Sequence, residues 1–235
     1  MPERLHLTRR SLVRALLLAG GTTPALMSVL RSPRAMSRKP IAPGVQEFNG
    51  DFRLNNSPAR RGQIVNPGDI AATGPGASAI IIIGQHVFML RENTTIEFFP
   101  VYFEKDGMVS GMLKVMTGAM LSVFGKTGKT TIATPAALIG IRGTGCYVES
   151  RPERTYACVC YGRADLASAP TGCLLETVTT TRHDQPRFIY PPGTPTPITP
   201  APVIDHGDAE LRLLEALVYR TPPFDAGGEP GDDRY

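Results

Sequence analysis

Residues 145–161, GCYVESRPERTYACVCY, carry the reading that decides the fold. Residues 145–150 and 155–161 are strand-like, and Arg151-Pro152-Glu153-Arg154 joins them as a turn, so the stretch predicts a hairpin. Cys158 and Cys160 are two apart and share one face of their strand. If Ser150 and Thr155 stand near-opposite, Cys146 falls almost opposite Val159, between those two cysteines. Three sulfurs are then expected to gather within a few ångströms of one another.

Outward from the hairpin the same texture continues. Residues 45–54 read as a first strand with a bend at Asn49-Gly50, and Asn66-Pro67-Gly68-Asp69 is a turn. Residues 79–83 are a β-branched run stopped by Gly84, as a buried strand requires. Strands follow at 86–90, 94–99, 112–116, 120–124, 130–133, 138–141, 163–167 and 176–181. Thr117-Gly118 separates two of them. Met112, Met116 and Met120 are read as core filling in this β context. Strand-length segments spaced by roughly 8–12 residues, with no helical period in 45–181, predict an all-β sandwich, barrel or roll.

Gly125-Lys126-Thr127-Gly128-Lys129-Thr130 invites a nucleotide-binding reading. A phosphate-cradling loop needs glycine five residues before its Gly-Lys pair, and Met120 and Val123 stand there instead. A hairpin turn with solvated lysines is the better expectation.

The flanks differ from the body. Residues 1–39 hold eight of the 25 basic residues and one of the 21 acidic ones, which leaves 17 and 20, a net of −3. That balance offers no footprint for a nucleic acid. A basic stretch followed by the apolar run 15–19 makes residues 1–34 an export signal. Arg9-Arg10, preceded by Thr8 and followed by Ser11-Leu12-Val13-Arg14, gives it a twin-arginine character. Retention of this segment would attach the chain to the membrane. Residues 35–44 form a linker and 45–181 the β domain. Residues 182–207 read as a Pro-rich connector. Residues 208–220 read as a short amphipathic helix with Leu211, Leu214, Leu217 and Val218 on one face, capped by Asp205 or Asp208, and 221–235 as a flexible tail.

Taken together, Gly62-x-x-Val65-x-Pro67-Gly68-Asp69-x-x-x-Thr73-Gly74, Leu90-x-x-Asn93-Thr94 and Thr134-Pro135-x-Ala137-x-x-Gly140-x-Arg142-Gly143-Thr144 resemble the FecR domain family over residues 45–167. The resemblance implies a periplasmic β domain that binds a partner or receives a signal. Regulators of that family add a membrane helix and a cytoplasmic segment that handles a sigma factor. Fewer than ten residues precede Arg9-Arg10, so that segment is not expected here. The expected partner is an envelope protein, a glycan or a small ligand in the periplasm or cell envelope.

The four cysteines, Cys146, Cys158, Cys160 and Cys173, admit three chemistries. An even count in an oxidising compartment favours disulfides, with Cys146 bridged to Cys158 or Cys160. Thiolates with the imidazole of His183 would instead hold zinc or another thiophilic ion. Cys158-x-Cys160 could also be a reactive redox pair. His206 is read as a loop residue before the helix. No nucleophile elbow or paired-carboxylate motif is present, so the expected function is non-enzymatic binding or signal sensing, with metal binding or redox activity as the alternative.

Overall fold

Three strands of 15 residues each organise the chain: β9 (Val109–Val123), β11 (Ala137–Arg151) and β12 (Arg154–Ser168). Straight, each would run about 50 Å, too long for one layer of a domain this size. Each therefore bends and serves two layers. The computed structural model describes residues 42–99, 102–103, 109–125 and 129–225. The predicted export signal with Arg9 and Arg10, most of the expected 35–44 linker and the expected tail after residue 225 lie outside the described residues.

Layer A holds β1 (Gly44–Asn49), β5 (Ser78–Ile83), β6 (His86–Leu90), the second half of β9, and the hairpin halves of β11 and β12. Layer B holds β2 (Phe52–Leu54), β3 (Ser57–Pro58), β4 (Ile70–Thr73), β7 (Thr95–Phe98), β8 (Tyr102–Phe103), the first half of β9, and β10 (Lys129–Ala133). The outer halves of β11 and β12 and β13 (Leu174–Thr180) complete it. Among the described residues the fold is all-β, with one short α-helix toward the C-terminus. No helix among the described residues is long and apolar enough to cross a membrane.

Backbone exceptions mark the bends. Gly118, in β9, sits at φ +79°. A Cβ there would run into the backbone and hydroxyl of Thr94, whose Oγ1 accepts from the Ala119 N–H at 2.9 Å and donates to the Ala119 carbonyl at 3.0 Å. Gly118→Ala is therefore expected to cost about 2–3 kcal/mol, from the left-handed backbone and the displaced threonine. A urea denaturation midpoint within error of wild type would refute this. In β11 the register slips between Arg142 and Cys146, with Gly143 at φ +56°.

Side-chain alternation then makes two cores. Between the layers lie Ile81, Phe88, Met120, Cys146, Val148 and Val159 from layer A, against Ile96, Leu113, Ile132 and Leu166 from layer B. The outer face of layer A carries Ile80, Ile82, Val87, Met89, Tyr147, Cys158 and Cys160. Because β5 is buried on both faces, its run of isoleucines is continuous rather than alternating.

Helix α1 (Asp208–Leu217) covers that outer face with Leu211, Leu213, Leu214 and Leu217, all buried. Leu213 joins the predicted stripe, and Val218 is only half-buried. The N-cap is Gly207, not Asp205 or Asp208; Glu210 accepts from the Gly207 N–H at 3.3 Å. The close approach of the cover depends on Gly145, where a Cβ would lie 2.5 Å from the Tyr161 ring and 3.1 Å from Leu211. Arg91 ties the cover down, donating to both Glu210 oxygens at 2.7 and 2.8 Å and to the Asp205 carbonyl at 2.8 Å.

Three expectations need correction. The predicted breaks at Thr117-Gly118 and near Arg142 are bends within single strands. β10 runs parallel to the first half of β9 rather than returning from it as a hairpin, because the chain crosses from layer A back to layer B between them. The Pro-rich 182–207 segment is no free connector. It supplies β14 (Arg187–Ile189), paired with β12, and β15 (Ile198–Pro200), paired with β14.

Candidate metal centre

Layer A presents Cys158 and Cys160 outward from β12, on either side of inward-facing Val159, and both thiols are buried. His183 follows β13 in a left-handed turn, φ +52°, a region that histidine enters more readily than most residues. Its N–H donates to the Cys160 carbonyl at 3.0 Å, which hangs the ring over the cysteines. His206 arrives from the segment before α1, stacked flat on Tyr147 at 4.6 Å between ring centroids and 9° between planes. One donor atom from each of these four residues lies within 4.8 Å of the others.

The outer hydrogen bonds of the two histidines determine what the inner nitrogens offer. His206 Nδ1 lies 2.5 Å from the Ile204 carbonyl, which can only accept, so Nδ1 carries the proton and Nε2 a lone pair. His183 Nε2 lies 3.1 Å from Asp208 Oδ1, which by the same reasoning leaves the lone pair on Nδ1. Those two lone-pair nitrogens face each other at 2.9 Å, and His183 Nδ1 is 3.7 Å from Cys158 Sγ. A proton on His183 Nδ1 would make the 2.9 Å contact an N–H···N hydrogen bond, and a metal ion bound by both nitrogens would satisfy them equally. Tetrahedral zinc would space its N and S donors by about 3.3–3.8 Å, which the 3.7 Å His183–Cys158 separation meets and to which the 2.9 Å His183–His206 separation would have to widen. The outer partners are those that orient histidine ligands in metal sites, a carboxylate and a main-chain carbonyl.

Electrostatics favours a thiolate at Cys158 beside the imidazoles. The Cys158 thiol is held well below the ordinary range, first by the hydrogen bond from Cys160 and then by His183 and His206, against the effect of burial. Burial and the neighbouring Cys158 push Cys160 up. For His183, burial acts downward, but Cys158 and Asp208 outweigh it and the net shift is upward. Asp208 also pairs with Arg182 and, at 3.8 Å, with Arg212, which fixes the carboxylate that holds His183.

The predicted cluster is met in part. Cys158, Cys160 and His183 come together. Cys146 does not join them, although the predicted register is correct: Ser150 pairs with Thr155 and Cys146 with Val159. Directly paired residues share a face, so Cys146 lies with Val159 in the inner core, on the other side of the sheet from Cys158 and Cys160. Burial pushes its thiol up. Cys173 is exposed in the loop between β12 and β13, in layer B. All four cysteines are free thiols, so the expected bridges of Cys146 to Cys158 or Cys160 are not formed. Cys158 and Cys160 sit about 6.7 Å apart along one strand, at the limit for a disulfide and well suited to gripping an ion.

His206 and Asp208 were not anticipated as site residues. The available signal was their position two residues apart, ahead of a helix whose leucines must cover a sheet. The FecR-type motif residues are structural. Asp69 accepts from the Asn66 N–H at 2.7 Å and from Asn55 at 2.6 Å, closing the turn that contains Pro67 and Gly68. Thr134 accepts from the Ala137 N–H at 2.9 Å and pairs with Thr155 at 2.6 Å, beside Pro135. Arg142 and Gly143 form the bend, with Thr144 buried behind them.

Comparison with solved structures finds two crystal structures, at 1.65 and 2.50 Å resolution, of a protein from Parabacteroides distasonis described as a "putative anti-sigma factor". Each aligns with a TM-score of 0.45 at 12% identity, over 60% of this chain and 61% of that one. The match thus spans about three-fifths of that protein's length. No protein-family model and no curated protein matches the chain.

Proposed function

We propose that this chain is an exported, FecR-like β domain that binds one thiophilic divalent ion of the zinc class through Cys158, Cys160, His183 and His206. The convergence of two sulfurs and two imidazole nitrogens within 4.8 Å of one another carries this reading. Two sulfurs and two imidazoles suit zinc, and four protein donors leave no coordination position for water, which is the pattern of a structural or sensing site. The ion would join β12, the turn after β13 and the lead into α1. The cover over layer A would then be secured by coordination as well as by its leucines. A binding or signalling role in the envelope agrees with the export signal and with the FecR-type motifs.

Native mass spectrometry of the full chain, purified without reductant or chelator, tests the proposal. One ion per chain is expected, retained in Cys146→Ser and Cys173→Ser and lost in Cys158→Ser/Cys160→Ser. Titration of the metal-free chain with Co²⁺ should give thiolate charge-transfer absorption that saturates at one equivalent. An ion that survives the double substitution, or no uptake of Zn²⁺ or Co²⁺, would overturn the assignment.

A further inference from the structure

A second site lies on the other side of layer A from the cysteines. One end of the space between the layers encloses a cavity of about 100 Å³, lined by Ile83, Phe88, Phe98, Leu113 and Phe124. It reaches the surface beside Asn66 and Met112. Met112, expected to fill the core, is 38% exposed at this rim. The volume is smaller than the engineered apolar cavity of about 150 Å³ that holds benzene, so a ring enters here with part of the ligand lying in the open mouth.

Three polar side chains, His86, Asn66 and Thr130, interrupt the apolar wall, and His86 is the one set against the aromatic rings. Its ring leans on Phe124 and Phe88, with centroids 5.6 and 6.5 Å away. The Gly125 N–H donates to His86 Nδ1 at 3.2 Å, so the neutral ring carries its proton on Nε2. Burial, and then the charge of Arg220, lower the His86 pKa to about 4, so the ring is neutral at physiological pH. Nε2–H has no acceptor among the described residues. A mostly apolar cavity with a few polar groups, one of them an oriented donor, is the composition of a small-molecule pocket. His86 provides for one acceptor oxygen, and no charged side chain among the described lining residues would balance a ligand charge.

We propose that this cavity binds a small uncharged molecule bearing one aromatic ring and one carbonyl oxygen, the ring seated among Phe88, Phe98 and Phe124 and the oxygen accepting from His86 Nε2. The site is independent of the metal centre, which faces the opposite side of the sheet.

The test compares acetophenone with ethylbenzene, similar in shape but lacking the oxygen, by chemical-shift titration of the full chain with its methyl groups labelled. The expected result is a Kd for acetophenone on the order of 0.1–1 mM, as befits a nine-atom ligand. Shifts should centre on Ile83 and Leu113. Ethylbenzene should bind roughly tenfold more weakly, because it covers Nε2–H without accepting from it. His86→Phe should erase that preference, and Ile83→Phe, which narrows the cavity, should weaken both probes. Equal affinity for the two probes in the wild-type chain would overturn the proposal, as would shifts centred elsewhere. The wild-type comparison decides the matter even if His86→Phe fails to fold.

Discussion

Removing the ion with a strong chelator is expected to lower the melting temperature of the full chain by roughly 10 °C. A ligand present at about a thousand times its Kd stabilises the folded state by about 4 kcal/mol, and a domain of this size shifts by about 2–4 °C per kcal/mol. The cause is local. Without the ion, the segment carrying His206 is held to β12 through this cluster only by the 2.9 Å contact between the two imidazoles. The 191–207 stretch, exposed over much of its length, should then become the first site of proteolytic cleavage. Differential scanning calorimetry with and without chelator, followed by limited proteolysis, reads both effects. An unchanged transition would mean that the cluster contributes no metal-linked stability.

The second large effect is expected at Arg220. Glu215 is buried under α1, where its carboxylate accepts from the Tyr161 hydroxyl and from Arg220 Nε. Arg220 Nη1 also donates to the Gln85 carbonyl at 2.8 Å. Arg220→Met would leave a buried carboxylate without its cation, at a cost of about 4 kcal/mol. Glu215→Leu combined with Arg220→Met should recover most of that loss, because the pair is then removed together. Urea denaturation of the two variants separates these outcomes. A single variant within 1 kcal/mol of wild type would show that Glu215 does not depend on Arg220.

The all-β class and the hairpin were legible because their signals are local: strand texture, a two-residue turn, glycines at bends. Even the pairing of Cys146 with Val159 could be read from the turn. The error came in moving from register to facing, because the partner of Val159 must point where Val159 points. His206 lay beyond local reading. Nothing near it says that a Pro-rich segment folds back as β14 and β15 and delivers it over β12. The parallel pairing of β9 with β10 was hidden for the same reason. It depends on the chain changing layers, and only tertiary packing decides that.

The strands that serve both layers also set an order of events. With β9, β11 and β12 common to both, neither layer can form alone, and pairings as distant as those that build the site must close together. Chains dominated by such long-range pairing fold on the millisecond-to-second scale. The donors span residues 158 to 206, and the last of them is placed by the segment that caps the sheet. The site is therefore complete only when β12, the turn after β13 and the segment before α1 are all in place, and an ion gripped there would report that the three had assembled.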